Sequence, residues 1–326
     1  MLRFVLQALL VAGLCVLPTI GTAEILAGLH RRGAWLPDVN PHLFDKVMDF
    51  LVGPLFTILL VVALILGARW IDRRDWRDLG LRLNRRWAVE FGLGLMLGAL
   101  LIALVVGAEM MLGWVRIEPR GAPALLDVPM VLLWAFIVLK TLCVGVSEEF
   151  VSRGYVLKNV AEGMSGLGGL SPVGAAAAAA LLTSVLFAAG HAGTDNFSMA
   201  SLAGLTVNGI LLVIPVLLTG RLAASMGLHM SWNFTQGAIF GYPVSGDSEN
   251  ISWLVSTAVG PERWTGGSYG PEAGYLGIAS MAVGAILILA YAKLHTGQAR
   301  IVPQIAIYRP LRESRHDADP VDVTCS

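Results

Sequence analysis

The sequence has few charged residues. Only 14% of its 326 residues are Asp, Glu, Lys or Arg, whereas a soluble domain carries roughly a quarter. Hydrophobic residues make up 56% and are gathered into blocks long enough to cross a bilayer, which takes about 20 residues. This composition excludes an ordinary soluble domain. It predicts an all-α, polytopic bundle of about eight transmembrane helices in a cell membrane.

Net charge and patterned cysteines are also lacking. The formal net charge is zero, so nothing indicates binding to nucleic acid. The three cysteines, Cys15, Cys143 and Cys325, show no metal or redox spacing, and Cys325 is too close to the end for a prenylation box. Arginine outnumbers lysine and Ala, Leu and Gly abound, which suggests a GC-rich bacterial genome. A Gram-negative host would place the protein in its inner membrane.

Eight apolar spans can be read along the chain with the usual hydropathy window. They cover residues 2–20, 48–68, 88–113, 128–147, 172–190, 200–219, 222–241 and 274–294. The first span is predicted as a retained helix; the alternative is a signal peptide, because Gly21 and Ala23 resemble a cleavage site.

Charge between the spans predicts the topology. The stretch "RWIDRRDWRDLGLRLNRRW", residues 69–87, holds seven arginines in 19 residues, so the positive-inside rule predicts a cytoplasmic loop. Eight spans then place residues 242–273 outside and the tail inside. We divide the chain into 1–127 with the first helices, a core at 128–241, and 242–326 with the outer loop, last helix and tail.

The stretch "VGVSEEFVSRGYVLK", residues 144–158, places charges after an apolar run. On a helix, Glu149 and Arg153 at i and i+4 share a face, in the favourable order of acid before base. Glu148 points about a quarter turn away. The spacing separates a paired, structural acid from an acid available for chemistry. Alternatively, all three charges only end a helix at the lipid headgroups.

Two more polar pairs repeat this spacing. Phe187 and His191 lie four residues apart in "FAAGH", and His229 and Asn233 in "HMSWN". Polar groups inside spans are costly, so convergence on one water-filled cavity is the economical interpretation. A carboxylate, two imidazoles and a carboxamide are able to activate water and stabilise an oxyanion. The alternative is hydrogen bonding between helices without catalysis.

The three motifs "EEFVSR", "FAAGH" and "HMSWN" resemble the EExxxR, FxxxH and HxxxN/B motifs of the CPBP family, the CAAX-processing and bacteriocin-processing intramembrane endopeptidases. The resemblance covers about residues 128–241. It implies a fold of about eight helices and cleavage of a peptide bond in a membrane-associated peptide or protein. It also implies that Glu148 and His191 activate water and that His229 and Asn233 form the oxyanion hole.

Zinc is the alternative cofactor, because Glu148, His191 and His229 are the ligand types of a catalytic zinc site. The two histidines are 38 residues apart, unlike the single-helix HExxH of soluble zinc proteases. We therefore expect no cofactor, with zinc dependence as the alternative. The alternative functions are a proton-coupled transporter, in which Glu148 and the histidines relay protons, and a non-catalytic scaffold or immunity protein.

The predicted spans place Glu148 and His191 at opposite faces of the membrane, although both belong to the proposed site. If the fourth span runs inward and ends at residue 147, Glu148 lies near the cytoplasmic face. A fifth helix of 19 residues at about 1.5 Å each would carry His191 to the opposite face. Either residues 148–160 dip back into the bilayer, or the fifth helix starts deep or lies steeply tilted.

Overall fold

A computed structural model describes residues 41–119, 130–248 and 251–311. The predicted span at residues 2–20, with its signal-peptide alternative, lies outside the described residues. So does the tail from residue 312 onward.

Helices make up most of the described chain. The α-helices are α1 (Pro41–Trp70), α2 (Arg85–Leu112), α3 (Met130–Glu149), α4 (Leu157–Met164), α5 (Pro172–Ala189), α6 (Met199–Thr219), α7 (Ala223–Asn233), α8 (Glu262–Thr265) and α9 (Tyr275–Thr296). The segments Phe150–Val156 and Phe234–Ile239 are π-helical, and short 3-10 turns lie at Trp76–Leu79, Leu167–Gly169, Pro271–Ala273 and Pro303–Ala306. Strands β1 (Val115–Pro119) and β2 (Leu254–Ala258) form an antiparallel pair.

Six helices in the described part of the chain are long and apolar enough to cross a membrane. They are Gly53–Trp70, Arg85–Leu112, Met130–Met164, Pro172–Ala189, Met199–Thr219 and Tyr275–His295. The predicted class, a polytopic helical membrane protein, is confirmed. The predicted span at 222–241 is formed by α7 and the π-helical turn that continues it to Ile239; neither segment alone is as long as these six helices.

Helix α7 lies inside the bundle, packed closely along α2. A Cβ added to Gly94 of α2 would lie 2.2 Å from the carbonyl oxygen of Ala224, and one added to Gly227 of α7 would lie 2.2 Å from that of Phe91. Small residues at such crossings let two backbones approach without side chains between them. The helix that carries His229 and Asn233 is therefore held from behind by backbone contact.

The predicted end of the fourth span at residue 147 is wrong. Helix α3 continues through the π-helical segment into α4, and the apolar helix runs without a break from Met130 to Met164, 35 residues. The charges that suggested an end are paired inside the protein: Arg153 with Glu149 at 2.8 Å, and Lys158 with Asp78 at 3.3 Å. Paired charges do not have to leave the membrane interior, so the helix continues.

The continuous helix also removes the predicted conflict between Glu148 and His191. Glu148 lies 16 residues before the end of α4, about 24 Å along the axis. After a short connection, α5 returns, and His191 lies 19 residues from its start, about 28 Å back. The two residues therefore lie at similar depth, and neither a re-entrant loop nor a tilted helix is needed.

The arginine-rich loop and residues 308–311, just before the undescribed part of the tail, meet on one face. The backbone N–H of Leu311 donates to the carbonyl oxygen of Arg73 at 2.9 Å, and the Tyr308 hydroxyl donates to that of Asp72 at 2.6 Å. The β1–β2 pair lies beyond the other end of α2.

We expect both the loop and the tail to be cytoplasmic, because the loop is arginine-rich and residues 308–311, which lead into the tail, are hydrogen-bonded to it. In a variant without native cysteines, Arg77→Cys and Arg312→Cys should resist an impermeant thiol reagent added to intact cells. Ser268→Cys, exposed in the segment between β2 and α9, should react. Strong labelling of either cytoplasmic position would show that the span count is wrong.

Candidate active site

A fully buried carboxylate lies at the centre of the bundle. The Glu149 side chain has no exposed surface, and Nη1 of Arg153 donates to its Oε1 at 2.8 Å. The ion pair predicted from their spacing is therefore present. The Nδ1 of His229 lies 2.9 Å from the same oxygen, and the Ser225 hydroxyl donates to Oε2. Glu149 thus joins the first motif to α7.

Ser225 was missed in the sequence. It lies four residues before His229, which lies four before Asn233, so all three share one face of α7. The polar stripe SxxxHxxxN was the available signal. Serine is common in apolar helices, where its hydroxyl usually bonds the backbone of its own helix. The bond from Ser225 to Glu149 depends instead on packing between helices.

Glu148 differs sharply from its neighbour in exposure. Its side chain is 36% exposed, and its Oε2 lies 4.0 Å from Nε2 of His229. His229 therefore stands between two carboxylates, bound through Nδ1 to the buried one and facing the accessible one through Nε2. The division of the two acids expected from helix geometry appears as a difference in burial.

His191 follows the end of α5. Its Nδ1 lies 2.9 Å from the carbonyl oxygen of Phe187. Because a carbonyl only accepts, Nδ1 carries the proton and a neutral ring keeps Nε2 as an acceptor. The Thr194 hydroxyl donates to the backbone oxygen of His191 at 2.9 Å, which fixes the turn.

The Phe187 ring connects the three motifs. Its centroid lies 4.9 Å from that of His191 and 6.1 Å from that of His229, both edge-on. The Arg153 guanidinium lies over the same ring, 4.2 Å from the centroid, a cation–π distance. The ring sets the spacing of both histidines and covers the buried ion pair.

Asn233 ends α7 one turn beyond His229 and is half-buried. The helix widens into the π-helical turn directly after it. In that turn, Nε2 of Gln236 donates to Glu272 at 2.8 Å and to the carbonyl oxygen of Pro243 at 2.5 Å. Burial raises the pKa of Glu272 to about 7. These contacts fix the backbone that follows Asn233. Asn233 itself lies near His229 because the two residues share one face of α7.

Both π-helical segments directly follow motif residues. One begins at Phe150, after the glutamates, and includes Arg153; the other begins at Phe234, after Asn233. Insertions of this kind occur often at functional sites, because they turn side chains away from the regular helical positions.

The arrangement combines an accessible carboxylate, two imidazoles and a buried ion pair, on three neighbouring helices. Residues 130–235 match the family of type II CAAX prenyl endopeptidases, Rce1-like. Over this stretch the chain is similar to the Rce1-like family. Neither curated proteins nor solved structures gave a match.

The matched stretch begins with α3 and ends just after α7, so it includes all six predicted site residues. The match confirms the resemblance read from the three motifs. Together with the six apolar helices, it supports a multi-pass membrane endopeptidase of the CAAX type in general. The predicted division at 127/128 and 241/242 stays a prediction, as does the bacterial origin.

The zinc alternative requires Glu148, His191 and His229 to converge on one ion. Both histidines direct Nδ1 to an oxygen, as zinc-bound histidines usually do. Yet within residues 41–119, 130–248 and 251–311 no three His, Cys, Asp or Glu side chains come close enough to hold one ion. Glu148, His191 and His229 do not form a ligand cage in this arrangement, and we derive no step through zinc.

Proposed function

We propose that the protein hydrolyses a peptide bond of a membrane-associated peptide or protein, with Glu148 activating water. One observation carries the proposal: of two adjacent glutamates, one is sealed in an ion pair and the other, 36% exposed, faces a histidine. Two glutamates that only stabilised helix packing would not require one to be buried and paired and the other to be exposed. General bases must reach water and the substrate.

Proton transfer involves Glu148 and His191 in this proposal. Glu148 takes the proton from the attacking water and gives it to the amine nitrogen when the C–N bond breaks. His191 is oriented by the bond from its Nδ1 to Phe187, so its Nε2 is available to accept a second hydrogen bond from that water. Two acceptors aim the oxygen lone pair at the carbonyl carbon, which reduces the entropic part of the barrier.

His229 and Asn233 are proposed to stabilise the oxyanion. Because His229 directs Nδ1 to Glu149, its Nε2 donates only when the ring is doubly protonated. The two carboxylates at 2.9 Å and 4.0 Å would balance the charge of that imidazolium. Glu149, with Ser225, then holds the ring in the orientation for donation and is a positioning residue.

Asn233→Ala should lower the turnover number about 10²- to 10³-fold, because the amide faces charge that exists only during reaction. Substrate affinity should change little. The test is turnover and substrate affinity measured side by side in liposomes. Weaker binding with unaltered turnover would refute the oxyanion role, since the amide would then recognise the ground state.

His229→Ala separates the proposed mechanism from zinc catalysis. We expect turnover to fall while the metal content of the purified protein stays unchanged, and chelators should leave wild-type turnover intact. Loss of bound zinc in the variant, together with inhibition by chelators, would replace the proposed mechanism. A transporter or scaffold would give no peptide product in either protein.

A further inference from the structure

A buried hydrogen-bonded pair, Gln236 and Glu272, links the turn after Asn233 to the segment between β2 and α9. Neither residue has more than 1% of its surface exposed. Both lie outside the stretch that matches the Rce1-like family, which ends at residue 235. They are 36 residues apart in the chain, so tertiary packing rather than local spacing brings them together.

The Gln236 amide is held in one orientation. Its Nε2 donates to the Glu272 carboxylate at 2.8 Å and to the carbonyl oxygen of Pro243 at 2.5 Å. Because a carbonyl only accepts, the amide nitrogen must face these two oxygens, and both of its N–H groups are used. The backbone carbonyl of Gln236 also accepts from the N–H of Tyr242 at 3.0 Å. The side chain therefore cannot rotate without losing its hydrogen bonds.

Glu272 lies in a short turn, Pro271–Ala273, that is packed closely against α6. A Cβ added to Gly204 of α6 would lie 1.7 Å from the carbonyl oxygen of Glu272, so the two backbones are in direct contact. Close packing of this kind leaves the turn little room to move. The Glu272 side chain also accepts from the backbone N–H of Ser245 at 3.3 Å. Glu272 is therefore a fixed point that holds the turn after Asn233.

The π-helical turn Phe234–Ile239 begins directly after Asn233 and contains Gln236. Turns of this kind are rare and usually single, so contacts from outside the helix must keep this one in shape. The bond from Gln236 to Glu272 is such a contact. A change in the shape of the turn would shift the end of α7 and, with it, the Asn233 amide.

We propose that Glu272, through Gln236, is a positioning residue that holds the Asn233 amide where the oxyanion forms. The inference rests on the proposed function, in which this amide stabilises the oxyanion. A donor of this kind acts only within hydrogen-bond distance of the developing charge, and a misplacement of about 1 Å can lower the rate about 10²-fold. The segment between β2 and α9 thereby takes part in catalysis.

The test is a double-mutant cycle with Asn233→Ala, using the purified full chain in liposomes. The probes are palmitoylated, internally quenched peptides, from which one is chosen that the wild type cleaves and Glu148→Gln does not. We expect Glu272→Ala to lower turnover per folded protein about 10- to 10²-fold, with little change in KM. In the Asn233→Ala background it should cause no further fall, because the amide that it positions is already missing.

Three further variants separate positioning from stability. Glu272→Gln keeps an oxygen that can accept from the Gln236 amide and should retain most of the turnover. The matched control, Glu162→Ala, removes a largely buried carboxylate that contacts Arg74 of the arginine-rich loop at 2.5 Å. It should lower the unfolding temperature but leave turnover per folded protein unchanged. If Glu272→Ala does not fold, Gln236→Met breaks the same bond, with the same expected fall and the same dependence on Asn233.

Two results would contradict this account, and they differ in what they overturn. An equal fall from Glu272→Ala with and without the Asn233 amide, or no fall at all, would overturn the positioning role and leave the proposed function standing. Failure of the wild type to cleave any of the peptides would instead overturn the proposed function, and this inference with it.

Discussion

Glu148→Gln is expected to abolish peptide cleavage while leaving the protein folded. The amide has nearly the shape of the carboxylate but cannot take a proton from water. General acid–base catalysis typically contributes about 10²- to 10⁴-fold, so the residual rate should lie at or beyond that reduction. The side chain is 36% exposed, so its neutralisation should have little effect on the free energy of unfolding.

The measurement compares turnover and thermal unfolding of the variant and wild type in liposomes. Glu118→Gln, an exposed residue of β1, is the matched control and should retain full turnover. Wild-type turnover in Glu148→Gln would remove Glu148 from the mechanism.

Glu149→Gln should act first on stability. It leaves the Arg153 guanidinium buried without its compensating charge. Removing one partner of a buried ion pair typically costs about 3–5 kcal/mol. That is a large share of the roughly 5–15 kcal/mol that stabilises a typical protein. Activity should fall as well, because Glu149 also holds Ser225 and His229.

A double variant tests whether the cost is electrostatic. Adding Arg153→Met to Glu149→Gln removes both charges, and buried pairs replaced on both sides often lose little stability. We therefore expect the double variant to unfold at a higher temperature than Glu149→Gln alone. A double variant that is less stable, by the sum of the two single losses, would show that the two side chains are not coupled.

Helix periodicity was enough to separate the two glutamates. Residues at i and i+4 share a face whatever the fold, so the Glu149–Arg153 pair followed from spacing alone. The resemblance to CAAX-type endopeptidases likewise needed only three motifs in order. Sequence spacing is enough to predict these pairs because the two residues of each pair lie about one helical turn apart.

The length of the fourth predicted span, which continues from Met130 to Met164, could not be found in the same way. Hydropathy counts Glu149, Arg153 and Lys158 as charges, whereas the fold neutralises them through partners within the helix and in the distant loop. The loop partner, Asp78, is 80 residues away in the chain. Its approach depends on tertiary packing, which no window of sequence reports.

For the same reason, the sequence did not predict where α7 ends or that Ser225 belongs to the site. The apolar stretch at 222–241 reads as one regular span, whereas α7 ends at Asn233 and continues as a π-helical turn, and α7 packs against α2 through glycines 94 and 227. Ser225 meets Glu149 only across that packed interior. Contacts between helices therefore determine which polar residues support the site.

The measurement that tests the central claim most directly is a comparison of membrane peptides from cells producing wild-type protein or the Glu148→Ala variant at equal levels. Glu148-dependent hydrolysis predicts a set of peptide termini present with the wild type and absent with the variant. Identical peptides at equal abundance in both would contradict the claim that this protein is an endopeptidase acting through Glu148.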